Sequence, residues 1–128
     1  MRLLFAIIGI LGFSLSATAA SEWWDEQYEE WLLDPQPYGG LSVLQQIKEA
    51  KDSGATNLNL NDNNITDLTP LAGLTNLTEL WLADNNISDL TPLAGLTNLT
   101  ELYLPQNSIS DSQKAMIKAA LPNTNIEW

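Results

Sequence analysis

The chain has 128 residues and contains neither cysteine nor histidine. This composition excludes structural disulfides, most nucleophile–base constellations of hydrolases and the usual zinc ligands. Five basic residues stand against 16 carboxylates, for a net charge of −11. Nucleic acid and anionic membrane surfaces are therefore poor partners, whereas a basic protein or a cation is favoured.

Residues 1–20 predict a secretory signal peptide. Arg2 supplies a positive charge, residues 3–15 form an almost unbroken apolar run, and an A-x-A cleavage pattern ends at Ala19. The run is short for a bilayer span of ~20 residues, which favours cleavage near Ala19 or Ala20 over an uncleaved anchor. The segment resembles bacterial export signals. We therefore expect a secreted or periplasmic chain that is free of the membrane and, without Arg2, has a net charge of −12.

Residues 21–40 form an acidic, aromatic segment. Trp24, Tyr28 and Trp31 have the spacing of one helical face, and the prolines that follow Asp34 end the run. Two interpretations are open. The aromatic residues dock on the rest of the chain as an extra N-terminal cap, or the segment is mobile and binds a partner.

Residues 41–54 predict an N-terminal cap helix. Ser42 and Gln45 have the spacing of a capping box, and Gly54 follows the last apolar position. The apolar positions with helical periodicity are Val43, Leu44, Ile47 and Ala50. We expect this helix to cover the edge of the first strand that follows it.

A repeat occupies residues 55–109. Residues 63–78 and 85–100 are nearly identical at an offset of 22 residues, which indicates a stacked array. Three copies fit the pattern L-x-x-L-x-L-x-x-N-x-L, with Leu-x-Leu strands whose leucines face one side. Equivalent strands should then stack in parallel. The asparagines that follow them should form an internal hydrogen-bonded ladder: Asn63, Asn85 and Asn107.

The return path of each repeat predicts a short 3₁₀ turn, because a 22-residue repeat has little room for an α-helix. Thr69 and Thr91 precede prolines and are the expected capping residues of these turns. Gly73 and Gly95 are expected to end them.

Residues 110–128 predict a C-terminal cap. Ser110 and Gln113 repeat the capping-box spacing ahead of an apolar helix. The tail resembles a last half-repeat, in which Ile126 and Trp128 take inward strand positions and Glu127 points outward.

The run N-x-I-x-D-L-x-P-L-x-G-L-T-N-L-x-x-L-x-L resembles the 22-residue leucine-rich repeats of bacterial internalin-type surface proteins, over about residues 41–128. The resemblance implies an α/β solenoid. It would have a parallel sheet on one face, 3₁₀ turns on the other and helical caps at both ends. The resemblance also implies binding of other proteins through the strand face, although this array has only about three repeats, fewer than internalin-type arrays usually have.

The outward strand positions are the candidate partner-binding residues, and they comprise Asn59, Trp81, Tyr103, Glu127, Glu79, Glu101 and Asp84. Aromatic residues surrounded by acids favour a protein partner with a basic patch. The structural alternative is that Trp81 and Tyr103 only stack across strands, or lie under residues 22–34.

No catalytic residue, cofactor site or metal site is predicted. The pairs Asp62–Asp84 and Glu79–Glu101 lie on an open face without the desolvated cleft that tunes a catalytic acid, so we predict no enzyme. Calcium shared by Asp62 and Asp84 is a weaker alternative to solvated strand-exit residues. The predicted function is an exported protein–protein interaction module. The alternative is a structural or self-assembling cell-envelope component, with or without calcium dependence.

Overall fold

The computed structural model describes residues 17–128, so the predicted signal peptide lies outside the described residues except for its last four positions. The elements in chain order are α1 (Ala17–Trp31), a 3₁₀ turn (Gln36–Tyr38), α2 (Leu41–Ser53), β1 (Asn57–Asn59), the first outer turn (Thr69–Gly73), β2 (Glu79–Trp81), the second outer turn (Thr91–Leu93), β3 (Glu101–Tyr103), α3 (Asp111–Ala120) and β4 (Asn125–Glu127). From residue 17 onward, no helix has the length and apolar character needed to cross a membrane.

The four strands form one parallel sheet in the order β1-β2-β3-β4. Leu58 pairs with Leu80, Leu80 with Leu102, and Leu102 with Ile126. The predicted solenoid is confirmed, with a parallel sheet on one face and 3₁₀ turns on the other. Because consecutive strands are separated by one whole coil, every inward leucine lies directly beside its equivalent in the next coil.

The interior is a shared apolar core built from the repeated positions. Leu80 and Leu102 are completely buried, and Leu58 at the edge of the sheet is 9% exposed. The other buried repeat positions are Leu60, Ile65, Leu68, Leu71, Leu74 and Leu77 in the first coil and Leu82, Ile87, Leu90, Leu93, Leu96 and Leu99 in the second. Burial of each such side chain stabilises the fold by about 1.5–3 kcal/mol, so packing replaces the disulfides that this chain lacks.

Asn85 is the polar side chain buried in this core, with 6% exposure. Its Oδ1 atom accepts hydrogen bonds from the backbone N–H groups of Asn63 and Ile65, both at 3.0 Å. Its Nδ2 atom donates to the carbonyl of Leu60 at 3.0 Å and to its own coil. Asn107 makes equivalent bonds one coil further on. The predicted asparagine ladder is therefore confirmed as a set of bonds that join successive coils.

Helix α1 packs on the outer side of the solenoid, against the first outer turn. Trp24, Tyr28 and Trp31 are all buried, and the Nε1 group of Trp24 donates to the carbonyl of Pro70 at 2.9 Å. The ring of Trp24 stacks on Tyr28, with centroids 5.4 Å apart, and meets Trp31 edge-on. Of the two interpretations of this segment, the structure shows the docked cap.

Helix α2 begins one residue earlier than the capping-box spacing predicts. Its N-cap is Gly40, at a φ of 102°, and Ser42 lies in the first turn without a capping bond. The cause is the turn before it, in which the N–H of Gly40 donates to Pro35 and the backbone of Gly39 also has a positive φ, 93°. The predicted apolar face is buried, and Gly54 ends the helix in the left-handed conformation with a φ of 68°.

The outer turns are capped by aspartates and not by the predicted threonines. Oδ1 of Asp67 accepts from the N–H and the hydroxyl of Thr69, at 2.9 and 2.5 Å. Asp89 accepts in the same way from Thr91, at 2.9 and 2.6 Å. The threonines lie inside the turns and act as donors, so the prediction that they are the capping residues is wrong.

At the other end, α3 begins as predicted, with the hydroxyl of Ser110 accepting from the N–H of Gln113. The side chain of Gln113 bonds the N–H of Leu90 at 2.8 Å, which ties the helix to the second outer turn. The prediction that Trp128 is a core residue is wrong, because it is only partly buried. The ammonium groups of Lys114 and Lys118 lie over its ring, 5.3 and 5.8 Å from its centroid.

We expect Asn85→Ala to lower the free energy of unfolding by about 3 kcal/mol, because it leaves buried N–H and C=O groups of two coils without partners. The neighbouring Asn86→Ala is the matched control. Asn86 is exposed, and its replacement should change stability by no more than about 0.5 kcal/mol. Urea unfolding measures both. A loss below about 1 kcal/mol in Asn85→Ala would contradict the proposed role of the ladder.

Gly73 and Gly95 occupy equivalent positions but should respond differently to alanine. A Cβ at Gly73 would lie 3.0 Å from Cδ1 of Trp24, whose ring is held by its bond to Pro70, whereas a Cβ at Gly95 meets nothing within 4 Å. We expect Gly73→Ala to destabilise by about 1–2 kcal/mol through overpacking, and Gly95→Ala to be neutral or slightly stabilising. Thermal unfolding and near-ultraviolet circular dichroism report both effects, and identical behaviour of the two variants would refute this packing.

The Asp89 cap makes stability depend on pH. Hydrogen bonds from the hydroxyl and the backbone N–H of Thr91 hold the pKa of Asp89 below its ordinary value. A carboxyl whose pKa is lower in the folded state stabilises the protein above its unfolded pKa of about 3.9, and this contribution is lost as the pH falls through the folded pKa. NMR titration should give a depressed pKa for Asp89, and Thr91→Val should raise it. An unchanged value in Thr91→Val would exclude this cause.

Candidate protein-binding surface

The outward side of the sheet carries the predicted column. Asn59 pairs with Trp81, Trp81 with Tyr103, and Tyr103 with Glu127. Because side chains alternate along a strand, Glu79 and Glu101, each two positions before an aromatic residue, share this side. We call this surface the strand face: Asn59, Trp81, Tyr103, Glu127, Glu79 and Glu101. Six of the seven predicted residues are thus brought together. Asp84 lies outside, in the turn that follows β2.

Trp81 and Tyr103 stack on the strand face. Their ring centroids are 5.5 Å apart and the ring planes differ by 2°, while both side chains remain partly exposed. This spacing follows from the in-register strands, which lie ~4.8 Å apart. The predicted stacking across strands is therefore present. The alternative that these rings lie under residues 22–34 is wrong, because the aromatic residues of α1 pack on the first outer turn.

Carboxylates surround the ring of Tyr103. Partial desolvation and then the charges of Glu101, Glu127 and Glu79 raise the pKa of the Tyr103 hydroxyl above its ordinary value. Oε2 of Glu101 accepts from Nδ2 of Asn125 at 2.7 Å, and from the Tyr103 hydroxyl at 3.5 Å. The side chains of Glu79 and Glu127 make no hydrogen bond or ion pair with any other residue of the described chain.

Sequence reasoning missed Asn125, which positions Glu101. The first three strands follow one another at 22 residues, but Glu101 pairs with Asn125 and Tyr103 with Glu127 across 24 residues. The periodic pattern therefore gives no direct alignment for this strand. The signal that could have found Asn125 is its place two residues before Glu127, which had been assigned outward.

The strand face contains no cation. All four lysines lie on α2 and α3, two on each helix. Lys48 forms an ion pair with Asp52 at 2.8 Å, and this hydrogen bond raises the pKa of the lysine above its ordinary value. The strand face therefore has one sign of charge, which attracts a positively charged ligand.

Asp62 and Asp84 have a backbone role at the strand exits. Both adopt the left-handed conformation, with φ values of 60° and 57°, and Gln106 does so at the equivalent position with 61°. Aspartate tolerates this conformation better than most residues, so the turn accounts for its presence. Between residues 17 and 128, no group of three or more acidic side chains is close enough together to hold a metal ion.

Parallel strands one coil apart, a ladder of buried asparagines and outer 3₁₀ turns define a leucine-rich repeat solenoid. The family model for leucine-rich repeats in two copies matches residues 56–95. A comparison with curated protein sequences gives no significant match.

Solved structures agree with this class. Internalin C2 of Listeria monocytogenes is 40% identical over 60% of this chain and 34% of its own length, with a TM-score of 0.52. The internalin InlF of the same organism is 39% identical over 60% of this chain and 22% of its own, with a TM-score of 0.53. A leucine-rich repeat protein of Leptospira interrogans is 30% identical over 56% of this chain and 19% of its own, with a TM-score of 0.52.

These matches confirm the internalin-like character of the repeats that the sequence predicts. The chain spans about a third of internalin C2 and less of the other two proteins. Leucine-rich repeat domains generally act as protein–protein interaction modules and are typically not enzymes.

Proposed function

We propose that this chain is an exported interaction module that binds a protein partner through the strand face. The observation that carries the proposal is the partly exposed, parallel pair of Trp81 and Tyr103 at the centre of the sheet. Aromatic residues bury a large area at a low cost in conformational entropy and dominate the energetics of protein interfaces. Stacking stabilises the sheet but covers only one side of each ring, so most of the outer edge stays available to a partner.

The charge of the strand face favours a basic partner. Glu79, Glu101 and Glu127 flank the aromatic pair, and the exposed Asp84 adds a fourth carboxylate at the end of β2. Opposite charges at the rim of an interface raise the association rate and orient the partner, while the desolvated aromatic centre supplies most of the affinity.

The size of the strand face favours an extended segment as the bound part. Four strands ~4.8 Å apart span only roughly 15 Å, which is narrow for an interface of about 800 Å² per partner. A loop or tail of the partner would satisfy this surface, whereas a broad globular contact would need further surface outside the sheet.

Export is the second element of the proposal. It is supported by the leader pattern in residues 1–20 and by the similarity of the repeats to internalins. A secreted or periplasmic location also suits a chain without cysteine, which is insensitive to the redox state of its compartment.

We expect Trp81→Ala to weaken partner binding by at least about 2 kcal/mol, roughly 30-fold, because it removes the central aromatic contact. The partner is captured from an envelope and surface extract of the source organism with the mature chain, identified, and then titrated by calorimetry. Leu33→Ala is the matched control, since Leu33 is a large apolar residue with 68% exposure outside the strand face.

Circular dichroism must show that both variants are folded. Equal affinity of Trp81→Ala and the wild-type chain would reject the strand face as the binding surface. An equal loss in Leu33→Ala would indicate a different surface.

A further inference from the structure

Lysines lie over aromatic rings at several places outside the strand face. Lys51 is 4.9 Å from the centroid of Trp24, and Lys48 is 5.5 Å from that of Tyr28. The remaining two lysines lie over Trp128. All four lysines are thus engaged with the aromatic residues of the caps. Within the described part of the chain, the Trp81–Tyr103 pair has no cation over either ring, although three carboxylates act on it.

The open side of Tyr103 has the features of a cation receptor. Because its ring is parallel to Trp81 and stacked on it, its other side faces toward β4, where the next position of the column is Glu127. Glu127 is exposed and carries an unpaired carboxylate. Asn125 holds Glu101 through Oε2, and Oε1 of Glu101 accepts no hydrogen bond from any described residue. One flat ring and two carboxylates therefore converge on the same space.

We propose that the strand face recognises an arginine side chain in an extended segment of its protein partner. The guanidinium group lies flat on the open side of the Tyr103 ring and donates hydrogen bonds to Glu127 and Glu101. This inference rests on the proposed function and specifies the chemistry of the partner at one position.

Geometry favours arginine over lysine at this site. A guanidinium group is planar, stacks on an aromatic ring and places its N–H donors in the plane, where carboxylates at the rim of the ring can accept them. An ammonium group is a strongly hydrated point charge and cannot stack and bond two separate carboxylates in one orientation. We therefore expect a preference of at least about threefold for arginine over lysine, with no binding of a neutral isostere.

The test uses the mature chain with ¹⁵N-labelled tryptophan and three capped tripeptides, acetyl-Gly-Xaa-Gly-amide with arginine, lysine or citrulline at the middle position. Citrulline keeps the planar shape without the charge, and lysine keeps the charge without the plane. The indole signal of Trp81, assigned by its absence in Trp81→Phe, reports binding. We expect it to shift most strongly with the arginine peptide and not with the citrulline peptide.

Variants locate the effect on the strand face. Glu127→Gln should weaken the binding of the arginine peptide by about threefold or more. Glu49→Gln, which removes one exposed carboxylate from α2, is the control of equal charge and should have no effect. Tyr103→Phe should retain the arginine preference, because the ring remains, and Tyr103→Leu should abolish it.

Equal affinities for the arginine and lysine peptides would overturn the inference and leave only a general attraction for positive charge. It would also be overturned by equal effects of Glu127→Gln and Glu49→Gln, or by the lack of any Trp81 shift. None of these results touches the proposed function, which depends on the loss of partner binding in Trp81→Ala. Conversely, unchanged partner binding in that variant, together with an arginine-specific shift, would reject the function alone.

Discussion

The fold depends on the hydrogen bonds that the buried amide of Asn85 makes to the backbone of two coils. Leucines can fill the interior of a solenoid, but at the end of each strand the chain must turn while it is still buried. There the N–H and C=O groups of the backbone have no sheet partner, and leaving one unpaired costs about 1–3 kcal/mol. Asn85 supplies both a donor and an acceptor at this point, and its 6% exposure shows that water does not replace it. The apolar core and the polar ladder are therefore a single requirement.

The interior also determines the geometry of the outer surface. The ladder and the leucines fix neighbouring coils in register, so side chains at equivalent positions must lie about one strand spacing apart. Trp81 and Tyr103 are held in a parallel stack for this reason, and the core of the protein, not a local loop, positions them. A surface organised in this way loses little conformational entropy on binding, which favours affinity even where the contact area is small.

Most of the fold and most of the candidate surface could be predicted from the sequence, because both follow from a periodic pattern with many copies. The caps could not. Thr69 and Asp67 are both acceptable capping residues, and the choice depends on the backbone path into the turn, which no repeat encodes. Gly40 replaced Ser42 for the same reason. The 24-residue step from β3 to β4 hid Asn125, and the partial exposure of Trp128 depends on the side chains of α3, which lies outside the period.

The distribution of charge follows from the different needs of caps and repeats. Each cap covers the array with aromatic residues that keep one side toward solvent, and lysine stems can cover that side while their ammonium groups interact with the ring. With only four lysines in the chain, this arrangement leaves the repeats without any basic residue. The repeats expose carboxylates instead, and on the strand face their mutual repulsion has no internal compensation. A cationic ligand relieves this repulsion as well as making its own contacts. The charge that the caps use therefore makes the strand face selective for a basic partner.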